Sequence, residues 1–154
     1  MKKSVKVIAT NKKAFFNYHI LETYEAGISL LGSEVKSIRA GRISLKESYA
    51  ETRDGEIFLI NCHISPYEAA NRFNHEPRRN RKLLLHRREL DRLAADVRQR
   101  GYTVVPTKIY LVRGKAKVEI ALARGKKRYD KRREIAKRDS QREIDRALAR
   151  KDRR

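Results

Sequence analysis

The chain has 154 residues, 40% of them hydrophobic, and its 39 Lys and Arg stand against 19 Asp and Glu, for a formal charge of +20. A charge that large opposes compaction by self-repulsion, so a polyanionic partner is its natural counterweight, and nucleic acid is the reading that follows. The lone Cys62 excludes an intrachain disulfide, no Cys/His cluster has zinc spacing, and no apolar run reaches the length of a membrane span. Val5 to Ala9 is too short and interrupted for a signal segment, so a cytoplasmic protein without metal, cofactor or membrane contact is expected.

Residues 1–10 form a short basic arm leading into Val5, Val7 and Ile8. Asn11 suits the N-cap of a brief helix through Phe15. Tyr18 to Leu30 reads as one long strand, with Gly27 marking a bulge or bend. Gly32 to Gly41 reads as a small helix. Ser33 is its candidate cap, Glu34 suits the positive end of the dipole, and Gly41 is a left-handed stop. Val35 and Ile38 share a face that would plug the end of a sheet.

Asp54-Gly55 between two strand-like runs, 48–52 and 57–60, is a hairpin signal. Cys62 lies among apolar neighbours as a small buried hydrophobe. Residues 71–82 are a polar, Pro-containing loop longer than a connector needs. Leu83 to Leu85 return to the core. His86 to Arg100 has Leu90, Leu93, Ala94 and Val97 on one helical face, and Gly101 stops it. Two alternating strands follow, 107–112 and 116–122, around an Arg113-Gly114 turn, with Pro106 suited to a strand start or edge.

The sum is a mainly β chain with about six antiparallel strands and two or three helices, over residues 1–123. A barrel of the oligonucleotide-binding type is the preferred form, with a split sheet carrying helices on one face as the alternative. Residues 124–154 differ in kind, with 15 Lys and Arg against six Asp and Glu. Their helix propensity is good, but Ile135 and Ile144, nine apart, fall on opposite faces, so no apolar stripe exists to bury. A tail disordered in isolation that folds inside a phosphate-lined channel is one expectation, and a permanently disordered basic tail is the other.

Two basic surfaces stand out in the body. Residues 72–88 hold seven Lys and Arg, including Arg78, Arg79, Arg81 and Lys82, against Glu76 alone, with Phe73 and His75 as possible base-stacking groups. Lys12 and Lys13 form the second, beside Asn11, and Asn11 or Glu25 could read a base edge. Catalysis has little to stand on. The four histidines lack a repeating ligand spacing, no phosphate-cradling glycine loop or nucleophile elbow occurs, and His75-Glu76 are adjacent residues that do not face one another.

In order and spacing, several motifs resemble the small protein B family, the SsrA-binding proteins of bacterial ribosome rescue. They are Glu25-Ala26-Gly27, the run from Gly32 to Gly41, Ser48-Tyr49, Asp54-Gly55-Glu56, Arg81 to Leu85, and Gly125 to Arg132. The resemblance covers nearly the whole chain. It implies a six-stranded oligonucleotide-binding-type barrel, with no cofactor, that binds the tRNA-like domain of transfer-messenger RNA near its elbow. It also implies entry into stalled ribosomes as a monomer, with the tail folding in the empty messenger channel beyond the decoding centre, against small-subunit RNA. Carried onto this chain, Asn11, Glu25, Lys82, Leu83, Leu84 and Leu85 match RNA-binding positions. Gly125, Lys126, Lys127, Tyr129, Asp130, Lys131 and Arg132 match the tail signature. Phe16 stands where the family often has His, and residues beyond Asp139 match only loosely. A basic protein bound permanently to ribosomal RNA is the rival reading.

Overall fold

A computed structural model describes residues 5–67, 74–126 and 128–152. The elements run in the order β1 (Val5–Thr10), α1 (Lys12–Asn17), β2 (Tyr18–Ile28), α2 (Gly32–Arg39), β3 (Ile43–Ser44), β4 (Tyr49–Arg53) and β5 (Glu56–Ile60). They continue with β6 (His63–Ile64), β7 (Arg81–Leu84), α3 (Arg87–Arg100), β8 (Thr103–Val112), β9 (Lys115–Gly125) and α4 (Arg128–Asp152). Among the described residues every pairing is antiparallel; seven strands run in the order β1-β8-β4-β5-β7-β2-β9, with β9 pairing back onto β8, and β3 pairs with β6 apart from them. Six strands therefore close a ring, β8-β4-β5-β7-β2-β9, which settles the barrel over the split sheet.

The turns close the ring as their residues dictate. Asp54 and Gly55 have φ of 50° and 76°, and Arg113 and Gly114 have 52° and 79°. Positive φ at both central positions is the primed turn whose twist matches paired strands. Inside the ring lie Ala26, Ile57, Leu59, Leu83, Val104, Ile109, Val118, Ile120 and Leu122, and α2 and α3 seal it with Ile38, Leu90 and Leu93. Gly101 ends α3 at φ 68°, its N–H bonded to the Val97 carbonyl at 3.1 Å. Cys62 is fully buried, and burial pushes its thiol up to about 11, as suits a packing residue.

Four local expectations need correction. Residues 5–10 of the basic arm are a true strand, because β1 pairs with β8 from Val5 opposite Val112 to Thr10 opposite Lys108. The β2 irregularity falls between Ile20 and Glu22. Gly27 is instead a close approach, since a Cβ there would sit 3.3 Å from Leu84 Cβ. Ser33 does not cap α2; the Glu34 carboxylate reaches back to the Leu31 N–H at 2.8 Å, and Ser33 Oγ lies 2.8 Å from His75 Nδ1. Pro106 sits inside β8, where a register shift between Pro106 and Lys108 absorbs its missing N–H.

Within the tail, residues Arg128–Asp152 form a single 25-residue helix, α4, the conformation that its helix propensity allows. It contains no Gly or Pro, and Gln141/Asp145 and Glu134/Arg138 pair at helical spacing. Ile135, Ile144 and Leu148 are exposed, in keeping with the missing apolar stripe.

Candidate nucleic-acid interface

Asn11 joins the first basic surface to the barrel. Its Oδ1 accepts the Ala14 N–H at 3.2 Å, and its Nδ2 donates to the carbonyls of Pro106 at 2.9 Å and Leu45 at 3.3 Å. The N-cap reading holds. With 6% of its surface exposed and both protons of its amide nitrogen donated to carbonyls, Asn11 has no free donor for a base edge; it fixes α1 against β8. Lys12 and Lys13 are exposed in the first turn of α1, and Lys13 pairs with Glu47. Cations there oppose the helix dipole, so α1 itself gains nothing from them and an external anion would.

Glu25 lies exposed on β2, opposite Glu119, and accepts the Tyr110 hydroxyl proton at 2.6 Å. Burial and that hydrogen bond push the Tyr110 hydroxyl far up, so it remains a donor and holds the carboxylate in place. A fixed carboxylate on a basic protein is an acceptor that can take a base N–H. One strand residue earlier, the hydroxyl of Tyr24 donates to Glu22 at 2.6 Å and is pushed up to about 12, by burial first and then by Glu22.

The basic run before β7 separates by parity. Arg81 and Leu83 point inward, fully buried and 2% exposed, while Leu84 is 54% exposed. The Arg81 guanidinium pairs with buried Glu34 and donates to the carbonyls of Cys62 at 2.8 Å, Arg79 at 3.0 Å and Pro77 at 3.1 Å. It therefore builds the loop and cannot reach a phosphate. Leu83 is likewise core. Arg79 donates to the other Glu34 oxygen at 2.5 Å while keeping a third of its side chain exposed. Burial pushes the Glu34 carboxyl up, but the hydrogen bonds from Arg79, the Leu31 N–H and Arg81 outweigh it and hold the group below its usual range. His75 is buried between Ser33 Oγ and the Ile64 carbonyl, 2.8 Å from each, and so is not a stacking group. Arg72 and Phe73 lie outside the described residues.

What remains accessible is a compact set. Arg78 is exposed and donates to Asn61 Oδ1 at 2.6 Å, and Lys82 pairs with Glu56 at 2.9 Å with 44% of its side chain exposed. Leu84 and half-buried Leu85 line a shallow groove of about 200 Å³ with Gly55, Glu56 and Arg87. An apolar side chain among cations is what an unstacked base or ribose face can cover.

The root of the tail makes a third basic surface. Gly125 pairs with Tyr18 at the end of β9, and the Lys126 N–H donates to the Asn17 carbonyl at 2.8 Å. Lys126 Nζ donates to the Phe15 carbonyl at 3.0 Å and pairs with Glu134, which also holds Arg138 at 3.1 Å. Lys131 Nζ and Arg138 lie 6.0 and 5.7 Å from the Phe16 ring centre. Between these groups and His19 opens a cleft of about 760 Å³. Arg132 is exposed; Lys127 and the side chains of Tyr129 and Asp130 lie outside the described residues. The sequence reading missed this anchor, although Lys131 and Arg138, seven apart, share a helical face. Among the described residues there is no His/Cys/Asp/Glu cluster able to hold a metal, and no helix long and apolar enough to cross a membrane.

The comparisons with known proteins agree with one another. The family model described as SmpB protein matches residues 8–150. An SsrA-binding protein of Carboxydothermus hydrogenoformans is 59% identical over 143 residues, 93% of this chain and 96% of that protein. One of Caldicellulosiruptor bescii is 61% identical over 140 residues, covering 91% and 89%. A solved chain from a study of tmRNA-SmpB in the bacterial ribosome superposes with a TM-score of 0.66 at 55% identity, covering 78% of this chain and 85% of that one. With a closed barrel, its accessible basic faces and a family match spanning nearly all residues, the chain belongs to the SmpB family of SsrA-binding proteins.

Proposed function

We propose that the chain binds the tRNA-like domain of transfer-messenger RNA and delivers it to stalled ribosomes for trans-translation and rescue. The observation that carries this is the family match over residues 8–150 on a barrel whose cations gather on accessible faces. The body acts by binding. Lys12, Lys13, Arg78 and Lys82 supply phosphate contacts, Leu84 and Leu85 an apolar platform, and Glu25 a fixed acceptor. Asn11, Arg81 and Leu83 act behind them by holding α1 and β7 in register. Such a surface recognises a folded RNA by shape and backbone and cleaves nothing. The site of action is then the cytoplasm.

The tail has a separate task. Residues 125–154 enter the messenger channel and pack as a helix only where no messenger occupies it. α4 has the pairs to be helical but no apolar face of its own, so channel phosphates would supply the missing partner. A competition titration near physiological salt tests the binding reading, with the tRNA-like fragment set against an equal-length plain duplex. A preference of about 100-fold, or about 2.7 kcal/mol, is expected. Equal affinity would return the protein to a general, charge-driven binder of ribosomal RNA.

A further inference from the structure

Residues 35–46 and 97–118 hold ten of the chain's Lys and Arg and no Asp or Glu. The fold brings parts of these two acid-free stretches together at one end of the barrel. Arg39, in the last turn of α2, donates from Nη2 to the Gly114 carbonyl at the tip of the β8–β9 turn, at 3.4 Å. Lys36, Arg39, Arg113 and Lys115 are all exposed. Some exposed cations elsewhere have carboxylate partners, as Lys13 has Glu47, Arg53 has Glu51, Lys82 has Glu56 and Arg92 has Glu22. Among the described residues none of these four has one. Lys36 Nζ lies 5.5 Å over the Tyr67 ring, and Arg39 has its carbonyl. The fold thus gathers like charges that repel one another, which costs stability unless an anion joins them.

Their position narrows the anion. β8 and β9 pair from Val112 opposite Lys115 at the turn to Thr103 opposite Ala123. Ten residues at about 3.3 Å each put the two ends roughly 30 Å apart. α4 leaves from the Gly125 end, so the cationic turn and the root of the tail occupy opposite ends of the hairpin. If the tail points into the messenger channel, the other end faces back toward the RNA that the barrel carries.

We propose that Lys36, Arg39, Arg113 and Lys115 form a second RNA-backbone site, which takes the phosphates of a duplex segment of the same transfer-messenger RNA. The proposal rests on the functional reading above. Four cations from two elements match a phosphate track and carry no base-reading geometry, so the site adds grip and orientation without sequence preference.

The test uses the full chain with Lys36→Gln, Arg39→Gln, Arg113→Asn and Lys115→Gln. Asn suits the left-handed φ of the turn. A control neutralises four other exposed cations, Arg98, Arg100, Arg142 and Arg146, to Gln. Affinity for the tRNA-like fragment is measured across a salt series. For each phosphate that the protein no longer neutralises, the slope of log Kd against log salt flattens by about 0.9. The turn variant should lose about 2 or more from the slope and about tenfold in affinity, and the control less than about 1. If the quadruple variant melts below the wild type, Arg113→Asn with Lys115→Gln replaces it, with a loss of about 1–2 expected. An unchanged slope on the fragment overturns the proposal, and weakened binding to vacant ribosomes alone would assign the patch to ribosomal RNA instead. Wild-type preference for the fragment over plain duplex, read in the same titrations, tests the functional reading separately. Without that preference the reading fails, and an equal slope loss on both RNAs would leave a backbone site with no particular RNA.

Discussion

Two buried polar side chains decide what the RNA-facing surface can be. Arg81 lies in a run of cations, yet its charge is spent on Glu34 and on the carbonyls of Cys62, Pro77 and Arg79. Arg81→Met leaves Glu34 buried with Arg79 as its only cation, and should cost about 3–5 kcal/mol in denaturant unfolding. Loss of RNA affinity should appear only where the fold is already failing. Glu34 also gives a pH dependence. Its carboxyl is held below its ordinary 4.5, so the folded state binds its proton less readily than the unfolded state. That contribution is complete above about pH 4.5 and is lost as pH falls through the depressed value. Glu34→Gln should therefore flatten the loss of melting temperature as pH falls below about 4.5. Asn11→Ala removes a helix cap and two carbonyl bonds, and should cost about 1–3 kcal/mol, measured the same way.

The residues that sequence reading assigned to RNA but the fold keeps inside show what was not legible. Arg81 carries the same charge as Arg78 and Arg79, and burial follows only from strand parity with Leu83, which requires knowing that β7 is a strand flanked on both sides. Asn11 was readable as a cap from local rules, but its two bonds cross 34 and 95 residues of chain. The long-range partner, not the residue type, makes it structural.

Secondary structure was most legible where local chemistry is decisive. Asp54-Gly55 and Arg113-Gly114 turn as their residues require, and α3 follows from its apolar spacing and Gly101. β1 was not legible as a strand, because Val5 and Val7 are exposed and only pairing with β8 orders them. α4 shows the limit of propensity: the sequence reads helical, but nothing local says what holds its first turns. Phe16 between Lys131 and Arg138, with Glu134 on Lys126, does so. Each cation–ring contact at a partly exposed site is worth about 0.5–1 kcal/mol. Amide exchange should therefore be slower over 131–138 than over 142–152, and Phe16→Ala should erase that difference while leaving barrel amides unchanged. Uniform protection along α4 would contradict this account of its root.

At the scale of the whole molecule, the barrel closes through β8 and β9, and the same β9 strand runs on to the tail. The proposed function therefore divides binding and ribosome engagement between separable parts of one chain. The barrel ring and its core lie within residues 5–126, and among the described residues the Lys126 N–H on the Asn17 carbonyl is the last backbone bond before α4. A chain ending at Lys126 keeps every strand pairing. The decisive measurement compares that chain with the full one in two assays, affinity for transfer-messenger RNA and tagging of peptides on stalled ribosomes. The account predicts affinity within about threefold, since ~0.7 kcal/mol covers the loss of distal charge, together with no tagging. Wild-type-like tagging by the shortened chain would contradict it.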